Sequence, residues 1–253
     1  MREQRRTARN GRDLSHRKPA AVIWTALLDL LFPPRCAFCG ALLEEAGDVC
    51  GDCETRLPLR EEAAQLTAIG ERGCPCVVAL YYDGVVKEGV RALKFGKKSW
   101  RARVFARYVA QAAAERLGGQ FDAVTFVPVS WRRNYARGFD QARLLAEETA
   151  KIWGVRAEPT LRKIRHTKAQ SSLEDPALRT GNVKGAYAVP RPDRVRGRRL
   201  LLIDDVCTTG STMAAAAEAL LEAGAASVVC AALAGGHQKV QKPGEGLHSF
   251  GEF

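Results

Sequence analysis

Residues 200–212 hold the densest chemistry in the chain: Leu200-Leu201-Leu202-Ile203-Asp204-Asp205-Val206-Cys207-Thr208-Thr209-Gly210-Ser211-Thr212. Four consecutive large apolar residues suit a strand buried on both faces. That strand ends in two adjacent carboxylates, a hydroxyl-rich turn with one glycine follows, and a helix begins. In parallel α/β sheets, ligands bind beyond the carboxyl ends of the strands. Backbone N–H groups at the helix start, aided by the helix dipole, attract an anion such as a phosphate. Gly210 lets the backbone approach closely, and Thr208, Thr209, Ser211 and Thr212 offer hydroxyl donors. Asp204 and Asp205 would repel a phosphate; as pure acceptors they suit a pair of vicinal hydroxyls. Two hydroxyls and a phosphate a few ångströms apart describe a ribose 5-phosphate. A plain capping turn is the simpler reading, but it explains one or two of the seven polar or glycine positions. A Walker B strand also ends in acids, yet the sequence holds no G-x-x-x-x-G-K-[ST] to accompany one.

The second set is sulfur. Cys36-Ala37-Phe38-Cys39 and Cys50-Gly51-Asp52-Cys53 are two C-x-x-C pairs separated by ten residues. Four thiolates are the usual tetrahedral set for structural Zn²⁺, and with all four positions filled the metal has no open site. Core cysteines or redox C-x-x-C sites are the alternatives. The chain has eight cysteines. Its length and the lack of a signal-peptide pattern argue for reduced thiols rather than a disulfide framework. Cys74-Pro75-Cys76 is a C-x-C with no matching pair, so no second metal site is assigned to it.

The elements that must position these residues follow from pattern. Of 253 residues, 46% are apolar and 26% charged, which is ordinary globular composition and excludes a disordered, collagen-like or coiled-coil chain. Residues 21–31 have helical spacing, with Pro33 and Pro34 as the stop. Residues 54–73 read as a polar linker. Strands are expected over Cys76–Tyr82, Ala123–Val129, Val155–Leu161, Gly185–Val189, Arg199–Asp204 and Ser227–Leu233. Helices are expected over Val85–Phe95, Trp100–Leu117, Asp140–Trp153 and Thr212–Ala223. The alternation implies an α/β fold, a parallel sheet flanked by helices. The expected units are a basic arm (1–20), the helix and cysteine segment (21–60), the α/β domain (76–235) and a flexible tail (236–253).

Net charge is +11, and residues 1–18 contribute seven Arg or Lys against two acids. Such an arm is expected to be a solvated tail, with nucleic acid or anionic lipid as its alternative partners. No run of 18 apolar residues occurs, and Pro33-Pro34-Arg35 stands where a secretory cleavage site would need small residues. The expectation is a cytoplasmic protein without a membrane span.

The 200–212 string resembles the thirteen-residue phosphoribosyl diphosphate (PRPP) motif of type I phosphoribosyltransferases in every acid, Thr and Gly position. Four further blocks resemble the ComF family. These are Leu30-Leu31-Phe32-Pro33-Pro34-Arg35-Cys36-Ala37-Phe38-Cys39-Gly40, and Leu93-Lys94-Phe95-Gly96. The third joins Val127-Pro128-Val129-Ser130 to Arg137-Gly138-Phe139-Asp140-Gln141. The fourth is the set Thr167, Gln170, Leu173, Arg179, Asn182, Gly185 and Ala186. The likeness covers residues 28–233. It implies a type I phosphoribosyltransferase fold with a small N-terminal zinc knuckle. It also implies binding of PRPP with Mg²⁺, and an association with competence and the uptake of transforming DNA. Some members carry a second zinc ribbon, and here this chain departs from the pattern.

The implied PRPP site is Asp204, Asp205, Val206, Cys207, Thr208, Thr209, Gly210, Ser211 and Thr212. Lys94, Arg137, Lys163, Arg165 and Lys168 are candidates for the pyrophosphate and a closing lid, with Cys36, Cys39, Cys50 and Cys53 as metal ligands. For Lys94, a cation complementing the end of its helix is an equally simple account. For the basic loop, a solvated charge run is the alternative to a lid that excludes water. Two functions stand open at this stage. One is phosphoribosyl transfer to an unidentified acceptor. The other is a PRPP-sensing accessory protein that touches single-stranded DNA or competence proteins. Loss of the metal is expected to loosen residues 30–60 and leave the α/β domain folded.

Overall fold

The computed structural model describes residues 33–43, 47–57, 67–95, 99–129, 138–164 and 185–236. The expected helix at 21–31, the arm, most of the tail, Arg137 and the 165–184 stretch lie outside the described residues.

Helix α1 (Gly51–Arg56) closes the cysteine segment. Strands β1 (Thr67–Ile69) and β2 (Cys74–Tyr81) form an antiparallel pair, Ile69 opposite Cys74. The expected linker at 54–73 is therefore corrected at both ends, by a helix that runs to Arg56 and by an edge strand. Helices α2 (Gly84–Phe95) and α3 (Arg101–Leu117) lead to β3 (Ala123–Phe126) and α4 (Gln141–Ile152). A two-stranded ladder, β4 (Arg162–Lys163) with β5 (Tyr187–Ala188), precedes β6 (Arg199–Cys207), α5 (Ser211–Glu222) and β7 (Ser227–Gly235).

The main sheet runs β1-β2-β7-β6-β3. β2, β7, β6 and β3 are parallel, and the antiparallel β1 makes the sheet mixed. Leu200, Leu201, Leu202 and Ile203 are all fully buried, as four apolar residues in a row require. Alternate strand residues feed two cores. Leu201 and Ile203 join α2, α3 and α4 on one face; Leu200 and Leu202 join α5 and β1 on the other.

Three expected strands shrink, and of these Ala123–Val129 ends at Phe126. Val155–Leu161 runs beside β3 but bridges it only at Ala157, opposite Val124. Glu158 adds one bond to Val124, and Pro159 has no N–H with which to continue the ladder. The side chain of Thr125 ties down this edge instead, meeting Thr160 Oγ1 at 2.7 Å and the Glu158 carbonyl at 2.9 Å. Gly185–Val189 reduces to the two residues of β5, off the main sheet. β6 and β7 are longer than expected, reaching Cys207 and Gly235.

Candidate functional site

β3 and β6 separate at their carboxyl ends. Their last shared bond runs from the Val127 N–H to the Ile203 carbonyl, 3.0 Å. Asp204 and Asp205 follow immediately, while β6 stays paired with β7 as far as Cys207 opposite Gly235. The acids therefore stand where the sheet opens on one side, the crevice in which parallel sheets bind ligands.

Successive strand residues face opposite ways, and the two acids divide accordingly. Asp205 turns to the α2 side, where its Oδ2 lies 3.1 Å from Lys94 Nζ. Lys94, in the last turn of α2, is thus part of the cluster and not only a helix-end cation. Asp204 faces the α5 side, where its charge acts on the buried Cys76 and Cys230 thiols. Burial first, and then the charge of Asp205, pushes its carboxyl well above the ordinary range; the Asp205 N–H, 2.8 Å from Oδ1, and Lys94 oppose the shift.

A third carboxylate belongs here that sequence reasoning did not assign. Asp140 caps α4 by accepting from the Arg143 N–H at 3.1 Å, and its other oxygen accepts from the Val129 N–H at 3.0 Å. It pins the chain leaving β3 to the start of α4. Burial raises its pKa, the two N–H donors pull it down, and the nearby Asp205 charge raises it further. Its place in the Arg137–Gln141 block, one residue before an apolar helical run, was the available signal.

Beyond Cys207 the chain bends over the α5 face. Gly210 occupies the N-cap of α5 at φ +75°, and Thr209 Oγ1 lies 2.8 Å from Ser211 Oγ. A Cβ at Gly210 would stand 2.9 Å from Ile69 Cγ2. The glycine is required by its left-handed φ and by the β1 side chain packed against the turn, beyond any approach of phosphate. Gly210→Ala should therefore destabilise the protein by ~1–3 kcal/mol, and Ile69→Ala should relieve part of that cost. Thermal melts of the two single variants and the double variant measure the coupling, and strictly additive losses would refute the packing argument.

Cys207 Sγ lies 3.9 Å from Cys76 Sγ, and Cys76 lies 3.6 Å from Met213 Sδ. Cys74 and Cys76 thus pack in the sheet's α5-side core. Lys163 sits on β4 with its ammonium 5.3 Å from the centre of the Tyr187 ring. Arg137, Arg165 and Lys168 lie outside the described residues.

The four remaining cysteines converge. The Sγ atoms of Cys36, Cys39, Cys50 and Cys53 all lie within 4.8 Å of one another, with Cys39 and Cys50 at 3.7 Å. A Zn–S bond of about 2.3 Å in a tetrahedron gives a sulfur–sulfur edge of roughly 3.8 Å, so the spacing fits a metal. Burial raises the Cys36 pKa, but N–H groups of Cys50, Cys39 and Phe38 outweigh it and bring the thiol down to about 6. The backbone thus already solvates a thiolate.

The cluster is built into the domain. Phe38 is 1% exposed, with its ring centroid 5.1 Å from that of Phe105 on α3. Gly89 on α2 admits it, since a Cβ there would be 3.1 Å from the Phe38 ring. Asp48, between the two cysteine pairs, accepts from Arg107 Nη1 at 2.7 Å.

A phosphoribosyl transferase domain model matches residues 107–247, and a double zinc ribbon domain model matches residues 27–77. The chain belongs to the ComF family of phosphoribosyltransferase-domain proteins. Competence protein F of Haemophilus influenzae is 27% identical over 186 residues, which is 71% of this chain and 75% of that protein. The DNA utilization protein YhgH of Salmonella typhimurium is 38% identical over 144 residues, 55% of this chain. The ComF-family chain spans 62% of the length of that relative. Among solved structures, a glutamine phosphoribosylpyrophosphate amidotransferase from B. subtilis, complexed with ADP and GMP, matches with a TM-score of 0.37. It is 23% identical, over 54% of this chain and 26% of that one. Among the described residues, no helix is long and apolar enough to cross a membrane.

Proposed function

We propose that this ComF-family protein binds PRPP or a related ribose 5-phosphate ligand with Mg²⁺ beyond β6, and transfers the phosphoribosyl group to an acceptor with release of pyrophosphate. The observation that carries the reading is the continuous path from Asp204 and Asp205, where β3 departs, to Gly210 at the start of α5. The turn and the first turn of α5 would hold the 5-phosphate through backbone N–H groups and the hydroxyls of Thr208, Thr209, Ser211 and Thr212. Asp204 and Asp205 would accept from the ribose hydroxyls. Lys94, held by Asp205 at 3.1 Å, would bring positive charge to the departing pyrophosphate. Mg²⁺ bound with the diphosphate would neutralise charge on the leaving group. The protein's own contribution is positioning and electrostatic stabilisation as C1 exchanges pyrophosphate for the nucleophile. Cys36, Cys39, Cys50 and Cys53 would hold one structural Zn²⁺.

The relatives' names, DNA utilization and competence, favour a second reading, in which the pocket senses PRPP while the protein engages single-stranded DNA or competence partners. One comparison separates the two. Purified protein is given PRPP and Mg²⁺ with ammonia or nucleobases and assayed for pyrophosphate, beside a salt series of single-stranded DNA shifts. Turnover without a shift supports transfer. PRPP binding without turnover, together with a salt-sensitive shift, supports the accessory role. Absence of PRPP binding sinks both.

A further inference from the structure

Among the described residues, Arg101 is the largest fully buried side chain, 1% exposed, at the first position of α3. A guanidinium stays ionised in a protein, and a buried charge needs a counter-charge. Among the described residues, no carboxylate forms a salt bridge with it. Its Nη1 donates to the carbonyls of Ala37 at 2.6 Å and Phe38 at 3.0 Å, the two residues between Cys36 and Cys39. Its Nη2 lies 3.1 Å from the Cβ position of Gly40, the residue after Cys39. Its Nε is buried without a hydrogen-bond partner. The guanidinium thus embraces the first C-x-x-C turn through Nη1, with its buried Nε–H unspent.

We infer that Arg101 is the counter-charge and positioning residue of the metal centre. Four thiolates on a divalent cation carry two excess negative charges, placed here in a half-buried knuckle, with Cys36 and Cys53 buried and Cys39 exposed. The Arg101 guanidinium offsets one of them and fixes the Cys36–Cys39 turn through its two carbonyls. The inference rests on the reading of the four cysteines as a zinc site, and it adds a residue from a helix of the α/β domain that no cysteine spacing could reveal. A metal-bound turn, in exchange, neutralises the charge that α3 buries at its start.

The test compares wild type, Arg101→Met and Arg101→Lys for zinc affinity by competition with a chromogenic chelator. Cobalt substitution alongside it counts thiolates from the sulfur-to-metal absorption, and circular dichroism confirms the fold. Outer-shell partners of metal ligands are typically worth about 10- to 100-fold in affinity. Arg101→Met should lose that much, while Arg101→Lys, which keeps the charge and a donor, should stay within a few-fold of wild type. A folded Met variant with wild-type affinity overturns the inference. So does a Lys variant that falls as far as Met, because charge would then be irrelevant. Should the Met variant fail to fold, Arg101→Gln provides the neutral comparison. Wild-type protein that binds neither zinc nor cobalt through its thiolates instead overturns the metal reading beneath it.

Discussion

Cys36→Ser should release the metal and cost the whole protein about 3–5 kcal/mol of stability, the usual loss when a buried phenylalanine gives up its packing. The residue that transmits the effect is Phe38. It sits between the ligands Cys36 and Cys39, yet its ring belongs to the core between α2 and α3, 5.1 Å from Phe105 and 5.8 Å from Tyr108. Without metal, only the packing of Phe38 and the hydrogen bonds around it oppose the entropy of release. Phe38 then leaves, and the Arg101 hydrogen bonds to Ala37 and Phe38 leave with it. A loss of that size is a large fraction of the ~5–15 kcal/mol that holds a domain together. For a chain of this length it lowers Tm by roughly 6–20 °C. The expectation of a knuckle that loosens alone gives way to one that weakens the sheet behind it. Thermal unfolding of wild type, of wild type with chelator and of Cys36→Ser checks this. A melting temperature unchanged in both perturbed samples would show that Phe38 packs without the metal's help.

What the sequence made legible was governed by local pattern. The run Leu200–Ile203 announced a strand buried on both faces, and Gly210 announced the turn into the helix after it. The two C-x-x-C pairs announced a thiolate cluster, and their Sγ atoms do converge. The missed features depend on tertiary contact. β1 has three residues and one buried apolar side chain, Ile69. It is a strand because Ile69 packs on Gly210 from the far side of the chain, which no local periodicity encodes. Val155–Leu161 alternates like a strand, but Pro159 limits it to one bridge. Lys94 was readable as a helix-end cation or as a ligand-site cation, and its 3.1 Å contact with Asp205 decides where it points. Arg101 was the least legible residue. An arginine at a helix start is ordinarily exposed, and its burial is explained only by the cysteine turn folded over it.

Asp204→Asn should weaken ligand binding and strengthen the fold. Its carboxyl is pushed well above the ordinary range by burial and by Asp205. Raised in the folded state, it binds its proton more tightly there than in the unfolded chain. Stability is therefore lost as pH rises from the ordinary carboxylate range through the folded value. Above the ordinary carboxylate range Asp204 is therefore a liability to the fold, and the neutral amide should raise Tm and flatten that part of the pH profile. Asp205→Asn should give no such gain, since it leaves Lys94 without its partner at 3.1 Å. Binding should respond in the opposite sense. Each carboxylate–hydroxyl bond is charge-assisted and worth roughly 1.5–3 kcal/mol, which is ~10- to 150-fold in affinity for each acid. Titration calorimetry of wild type, both single variants and the double variant, with PRPP or ribose 5-phosphate and Mg²⁺, measures one side; melts across pH measure the other. Inorganic phosphate should compete in every variant, because the turn that would hold it is untouched. A stabilised Asp204→Asn that binds PRPP as well as wild type would mean that this acid is held in its unfavourable place for some other purpose. Equal affinity in the folded double variant would remove the ribose from the proposed site altogether.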